Sequence, residues 1–435
     1  MMPRPQTPFH TPAQALPMRF PPNLEVKVAG HARSKKGHSS LKKSLITCAS
    51  ALSLLITGPL ASAASGIVVL GGDTGVGVSS VIGMSNDGDV MVGNGSPGYV
   101  TADQSRRRLE LSRSGSHLGY SSFQPFRWTA ETGLAYLGSL GGNFLNIAND
   151  VSSDGAVVVG RSEVVEFSEA RKPSGSSRAF RWTSDGMINL GTLGDSRGRS
   201  SANGVNADGS VVVGYSSTSG LWHDKAFRWT LSDGMKSLGT LDKAIYSVAT
   251  SVNARGDVVV GRSGDHGWSR AFRWTSAGMV DLGTLADNDA YSEAHDVNDT
   301  GDVVVGRSGP AIGTLEVGQA FRWTKDTGMV GLGTLPGDTA SVATSVNGRG
   351  DVMVGVSISS DGERRGFRWT QATGMQTIEQ WLKDNGVDVK GLPRVVTATA
   401  VNGAGNVVFG SLADGRGAYI ARVEGPSRRR DQRRP

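Results

Sequence analysis

A chain of 435 residues has room for two or three ordinary domains, and its formal charge of +6 looks at first like a nucleic-acid signal. The charge sits at the ends: residues 1–43 carry +7 and the tail from Pro426 carries +4, leaving −5 for residues 44–425. A broad nucleic-acid-binding face is therefore excluded, and the single cysteine, Cys48, excludes a disulfide framework.

In chain order, Lys42 and Lys43 open onto an apolar run at residues 45–56, too short to span a bilayer comfortably. Pro59 and an Ala61-Ser62-Ala63 segment follow, which is the pattern of a secretory signal peptide cleaved near Ala63. Residues 1–63 are thus expected to be a basic leader plus signal peptide, which would remove Cys48. With no second long apolar segment after it, no integral membrane segment is expected in the mature chain. The expected address is the cell surface or the medium, with the periplasm as the alternative.

From there a repeat takes over. Phe-Arg-Trp-Thr occurs around Trp128, Trp182, Trp229, Trp274, Trp323 and Trp369, at intervals of 54, 47, 45, 49 and 46 residues, the period of propeller blades rather than of helical repeats. Within one copy, residues 292–298 alternate up to an Asn298-Asp299-Thr300-Gly301 turn, and a Val-rich strand follows at 302–308. The Phe-Arg-Trp-Thr strand at 319–324 and a fourth strand at 329–335 complete four strands per copy. Seven first strands can be phased, ending at Ser85, Ser152, Asn206, Asn253, Asn298, Asn347 and Asn402. The last copy has residues 418–423 in place of the Trp strand and lacks a fourth strand. Residues 67–70 supply it. The predicted fold is all-β: a seven-bladed β-propeller of four-stranded blades over residues 64–425, closed by an N-terminal outer strand, with a basic tail at 426–435. The recurring Phe and Trp are read as packing between blades, and the Arg between them as pairing inside its repeat.

Ala-Phe-Arg-Trp-Thr at 226–230, 271–275 and 320–324, with Val-Asn-x-x-Gly-x-Val-Val-Val-Gly at 205–214, 252–261 and 297–306, resembles the HAF-repeat family of probable extracellular bacterial proteins. The likeness runs over about residues 66–423. Arg178, Lys225 and Arg270 stand where the family motif is led by His. The resemblance implies export and an extracellular setting, and it attaches no catalytic residue to the repeat.

Function is therefore expected outside the repeated positions. Connections between second and third strands, at 96–123, 163–177, 217–224, 264–269, 309–318, 358–365 and 412–417, are the long ones, and all would emerge on one face. Trp222, His223, His266 and Trp268 lie in those loops, with Phe144, Tyr246 and Tyr291 in neighbouring ones. These are the predicted ligand-binding residues, suited to stacking on a glycan or contacting a protein, and a monomer without cofactor is expected. The alternative is a polysaccharide-processing enzyme. Asp150 and Asp296 occupy one position in the second and fifth copies, with Glu293 and His295 beside the latter, and two carboxylates lining one channel suit acid–base work on a glycoside. The second and fifth blades lie across the ring, which argues for a wide separation. No His or Cys spacing suggests a metal site.

Overall fold

Strand-forming stretches of this chain are short and punctuated by glycine turns, and the computed structural model shows twenty-eight strands and one helix among its described residues. Those residues are 65–70, 77–96, 123–129, 131–140, 145–167, 173–194, 198–218, 223–310, 317–413 and 417–424. They belong to one compact unit. The leader, the Ala63 region, the insertion at 97–122, Phe144, Trp222 and the arginine tail lie outside them.

The first strand, β1 (Gly66–Leu70), does not join its nearest neighbours in sequence. The first sheet is β2 (Gly77–Met84), β3 (Val90–Ser96), β4 (Gln124–Thr129) and β5 (Gly133–Tyr136); the second is β6 (Asn146–Val151), β7 (Val158–Phe167), β8 (Pro173–Thr183) and β9 (Gly186–Asn189). Next come β10 (Ser200–Val205), β11 (Val211–Ser217), β12 (Asp224–Thr230) and β13 (Gly234–Ser237). An eight-stranded sheet follows. It consists of β14 (Tyr246–Val252), β15 (Val259–Gly264), β16 (Ser269–Thr275) and β17 (Gly278–Asp281), joined by one parallel bridge, Ser269 to Tyr291, to β18 (Tyr291–Val297), β19 (Val303–Gly309), β20 (Gln319–Thr324) and β21 (Gly328–Gly333). The sixth meander is β22 (Asp338–Val346), β23 (Val352–Ser359), β24 (Arg364–Thr370) and β25 (Gly374–Thr377). In the last sheet β26 (Ala400–Val401), β27 (Val407–Ser411) and β28 (Ala418–Arg422) are completed by β1, antiparallel to β28 from Gly66 opposite Arg422 to Leu70 opposite Ala418.

Each sheet buries its faces against the next. Val157, Val159, Ala179 and Leu190 of the second sheet share one cluster with Ala202, Val205, Val212, Phe227 and Trp229 of the third, and the same arrangement recurs along the array. Phe409, Ala418 and Ile420 of the last sheet pack on Val81, Met91 and Phe126 of the first, so the succession of sheets returns to its start. The third-strand Phe residues are essentially inaccessible, whereas among the six third-strand Trp residues only Trp229 falls in the buried class.

The first turn of each copy shows why the sequence repeats. Asn206 Oδ1 accepts the Val211 N–H at 2.8 Å, closing the hairpin, and Gly209 has φ +71°. A Cβ there would stand 2.3 Å from Val157 Cγ2 of the preceding sheet, so the backbone and the packing both require glycine. Four of the Phe-Arg-Trp-Thr arginines reach beyond their own repeat: Arg127, Arg181, Arg228 and Arg273 donate through Nε to the carbonyls of Gly155, Gly209, Gly256 and Gly301, each in the first turn of the following copy, at 2.9–3.0 Å. Arg368 stacks on Trp381 of its own copy, 5.2 Å from the ring centroid.

Two further expectations are corrected. The fourth strands are mostly four residues long, and Leu282 and Leu285 beyond β17 pack into the core instead of extending the ladder. Residues 163–177 are not a free loop, because Glu163 to Phe167 pairs with Ser177 back to Pro173 and lengthens the β7–β8 hairpin. The helix α1 (Ile378–Asp384), capped by Thr377 Oγ1 accepting from Gln380 N, buries Ile378, Trp381 and Leu382 against the last sheet. No helix among the described residues is long and apolar enough to cross a membrane.

Candidate functional site

The innermost strands carry a bulge. In β6, β10, β14, β18 and β22 one extra residue interrupts the register, and these residues are Asn149, Asn203, Thr250, His295 and Thr344. Each reaches the following copy of the repeat. Asn149, Asn203, Thr250 and Thr344 donate to the carbonyls of Ala202, Ala249, Ala294 and Ala398 at 2.7–2.8 Å, and His295 Nδ1 stands 2.8 Å from the Ala343 carbonyl.

The residue after each bulge resumes the pairing with the second strand. Small residues fill that position in most sheets, and Asp150 and Asp296 fill it in two. Asp296 is saturated: Oδ1 accepts from Ser251 Oγ at 2.8 Å and Val297 N at 2.9 Å, and Oδ2 from Ser345 Oγ and Val346 N, both at 3.0 Å. Its carboxylate thus staples three consecutive inner strands, and burial holds its pKa above the ordinary carboxylate range despite these donors. Asp150 accepts only Val151 N and Val205 N, at 2.8 and 2.9 Å. Burial raises its carboxyl to about 7, against the pull of those two N–H groups, and the Asp296 charge pushes it further up.

A second cluster sits where the inner strands begin, at the end from which the second-to-third-strand connections leave. Tyr291 and Glu293 of β18 share one face of the strand. The Tyr291 hydroxyl donates to Glu293 Oε2 and receives Arg262 Nη1 at 3.2 Å, while Arg262 and His295 Nε2 each stand 3.6 Å from Glu293 Oε2. Arg307 stacks over the Tyr291 ring at 4.7 Å and Arg262 lies 6.0 Å from the Tyr246 centroid. Burial alone would raise the Glu293 pKa, but His295 and Arg262 more than offset it and bring the carboxylate to about 2. The same pairing keeps the His295 pKa above its ordinary value although burial opposes the charge. Burial, then the Glu293 charge, raises Tyr291 to about 12. Among the described residues no group of three or more His, Cys, Asp or Glu side chains is arranged to hold a metal ion.

Of the sequence-predicted ligand residues, the structure brings Tyr246 and Tyr291 to this cluster. Tyr246 and Tyr291 are the first residues of β14 and β18, not loop residues, and Tyr291 is 2% exposed. His266 is exposed on the tight Asp265–Trp268 turn, and Trp268 is half-buried with the Arg270 guanidinium 5.9 Å from its ring. His223 is exposed, its carbonyl accepting from Thr218 Oγ1 at 3.1 Å. Trp222 and Phe144 lie outside the described residues. Sequence reasoning missed Arg161, Arg262 and Arg307. All three follow the glycine of Val-Val-Gly-x-Ser, a place taken by Tyr215 in the third copy and by Val356 in Met353-Val354-Gly355-Val356-Ser357, and that change of residue type after the glycine was the available signal.

No family model matches the chain, and no similar curated protein was found. Among solved structures, oligogalacturonate lyase from Vibrio parahaemolyticus aligns at 11% identity and a TM-score of 0.49, covering 83% of this chain and 99% of the other. TolB from Acinetobacter baumannii aligns at 11% identity and 0.39, over 69% and 76%. Prolyl oligopeptidase B from Galerina marginata aligns at 9% identity and 0.45, over 71% and 43%.

Proposed function

We propose that the chain is a seven-bladed β-propeller of the HAF-repeat kind, closed by β1, which is exported after loss of residues 1–63 and acts at the cell surface, in the medium or in the periplasm as a monomeric binding protein. Its ligand, a glycan or a protein, docks on the face that carries the long loops and the start of the inner strands. The observation supporting this is the Arg262–Tyr291–Glu293–His295 network. At the bulge the fold is served by Asn or Thr, and beside it by Ile147, Ser201, Val248 or Val342, so the charged groups of β18 exceed what inter-sheet packing needs. A glycan and peptide array probed with the purified chain tests the reading. Retention of one ligand class, lost in Tyr246→Ala with Trp268→Ala while the circular dichroism spectrum is unchanged, is the expected result, and no retention at millimolar ligand sinks it.

One observation favours a second reading, hydrolysis or elimination on a polysaccharide. Asp150 has unused lone pairs and a carboxyl pKa of about 7, the condition for proton transfer near neutrality. Product formation from plant or bacterial polysaccharides that disappears in Asp150→Asn would establish it. Asp296, with all four acceptor positions engaged, is assigned a structural role in either reading.

A further inference from the structure

We infer that the end of the sheets where the inner strands begin recognises the carboxylates of an acidic oligosaccharide, with Arg161 and Arg262 as anchors. The inference rests on the binding reading above and specifies its ligand. The place after the second-strand glycine lies one residue from the point where Gly160, Gly261 and Gly306 let the second strand press on the inner strand, since a Cβ at any of the three would meet an inner-strand carbonyl within 2.0 Å. A long side chain at that place is therefore held on a rigid two-strand platform rather than on a loop. Arg161, Arg262 and Arg307 occupy it on β7, β15 and β19, opposite Ile147, Val248 and Glu293.

Only part of this positive charge is answered from within. Glu293 is shared by Arg262 and His295. Arg161 makes no ion pair among the described residues, and the Nε groups of both Arg161 and Arg262 are buried without a hydrogen-bond partner. A buried N–H of a guanidinium left unsatisfied is costly, and a carboxylate is the acceptor whose two oxygens match the guanidinium fork. Tyrosine interleaves with arginine in the same region: Tyr215 takes the shared second-strand place on β11, and Tyr246 and Tyr291 open β14 and β18. Cationic forks separated by ring faces suit a polymer in which each unit offers one carboxylate and one apolar sugar face. An acidic peptide offers the charge but not the repeated ring face.

Titration calorimetry of the full chain with trigalacturonate, with uncharged cellotriose and with hexaglutamate tests this. Trigalacturonate should bind, and Arg161→Gln should weaken it by about tenfold or more while the melting temperature stays the same, because that guanidinium makes no ion pair among the described residues. Arg262→Gln should weaken it too, and Arg161→Lys, which keeps the charge but not the fork, should recover only part of the loss. Cellotriose binding as tightly as trigalacturonate, or native affinity in Arg161→Gln, overturns the carboxylate assignment and leaves the binding reading standing. Hexaglutamate binding more tightly than trigalacturonate overturns the glycan assignment. If none of the three probes binds, this inference falls, and the array decides the binding reading separately.

Discussion

At the scale of single residues, the two aspartates that look alike in sequence have different roles because their donors differ. Asp296 answers two backbone N–H groups and two serine hydroxyls from three strands, so Asp296→Ala leaves four donors unpaired and should destabilise the chain by about 3 kcal/mol or more in urea unfolding. Asp150 and Asp296, both raised by burial, act in the same direction on the pH response. The folded pKa of Asp150, about 7, lies above the ordinary 3.8, so the folded state holds a proton that the unfolded state has released, and stability falls as pH rises between those two values. Three pKa units correspond to roughly 4 kcal/mol. His295 adds a loss in the same direction above its ordinary pKa. Glu293, depressed from 4.5 to about 2, acts oppositely and removes stability as pH falls through that window. Thermal unfolding should therefore show a maximum at about pH 4 to 5, and Asp150→Asn should flatten the slope from there to neutrality. A native chain whose melting temperature climbs between pH 5 and 7 would contradict this.

At the scale of elements, what holds neighbouring sheets together is partly legible in the sequence. Alternating valines and the Asn-x-x-Gly turns announce strands and hairpins because period and turn chemistry are local properties. The bulge in the inner strands has no such local mark, so Asn149, Asn203, Thr250 and Thr344 read as ordinary polar residues although their side chains bridge to the following copy of the repeat. Removing one bridge should show its worth: Asn203→Ala takes a 2.8 Å bond from the Ala249 carbonyl and should cost about 1 to 3 kcal/mol, while Asn203→Thr should keep most of the stability, since threonine performs this role at Thr250. The conspicuous Trp of each repeat is a weaker prop than its pattern suggests. Phe272 is 0% exposed, whereas Trp274 packs only partly buried at the edge of the cluster between the third and fourth sheets. Phe272→Ala should therefore cost about 3 to 5 kcal/mol and Trp274→Ala measurably less in the same denaturant titration. Equal losses would mean that the Trp ring carries the interface.

At the scale of the whole molecule, the ends of the chain are tied together, and this too follows from counting strands in the sequence: the last copy lacks a fourth strand, and residues 67–70 are the only unassigned strand-like segment. The site was less legible. Repeats are recognised by what stays constant, and Arg161, Arg262 and Arg307 occupy a position that varies between copies, so the repeat pattern does not mark them. The closure is more than one ladder of hydrogen bonds. Ile67 packs against the cluster shared by the sixth and last sheets, Ser65 Oγ accepts Glu424 N at 2.9 Å, and Arg422 reaches Asp89 in the first sheet at 3.3 Å. Because the first and last sheets also pack on each other, loosening β28 weakens an interface at each of its sides. Deleting residues 66–70 removes β1 and leaves the backbone groups of β28 facing solvent along an open edge. The deletion should lower the melting temperature by several degrees or more and bring concentration-dependent aggregation on heating, read by light scattering alongside calorimetry. Adding back a synthetic peptide of residues 64–72 should restore much of the lost stability by re-forming the edge ladder, whereas an unchanged melting temperature in the deletion would show that the array is held without its N-terminal strand.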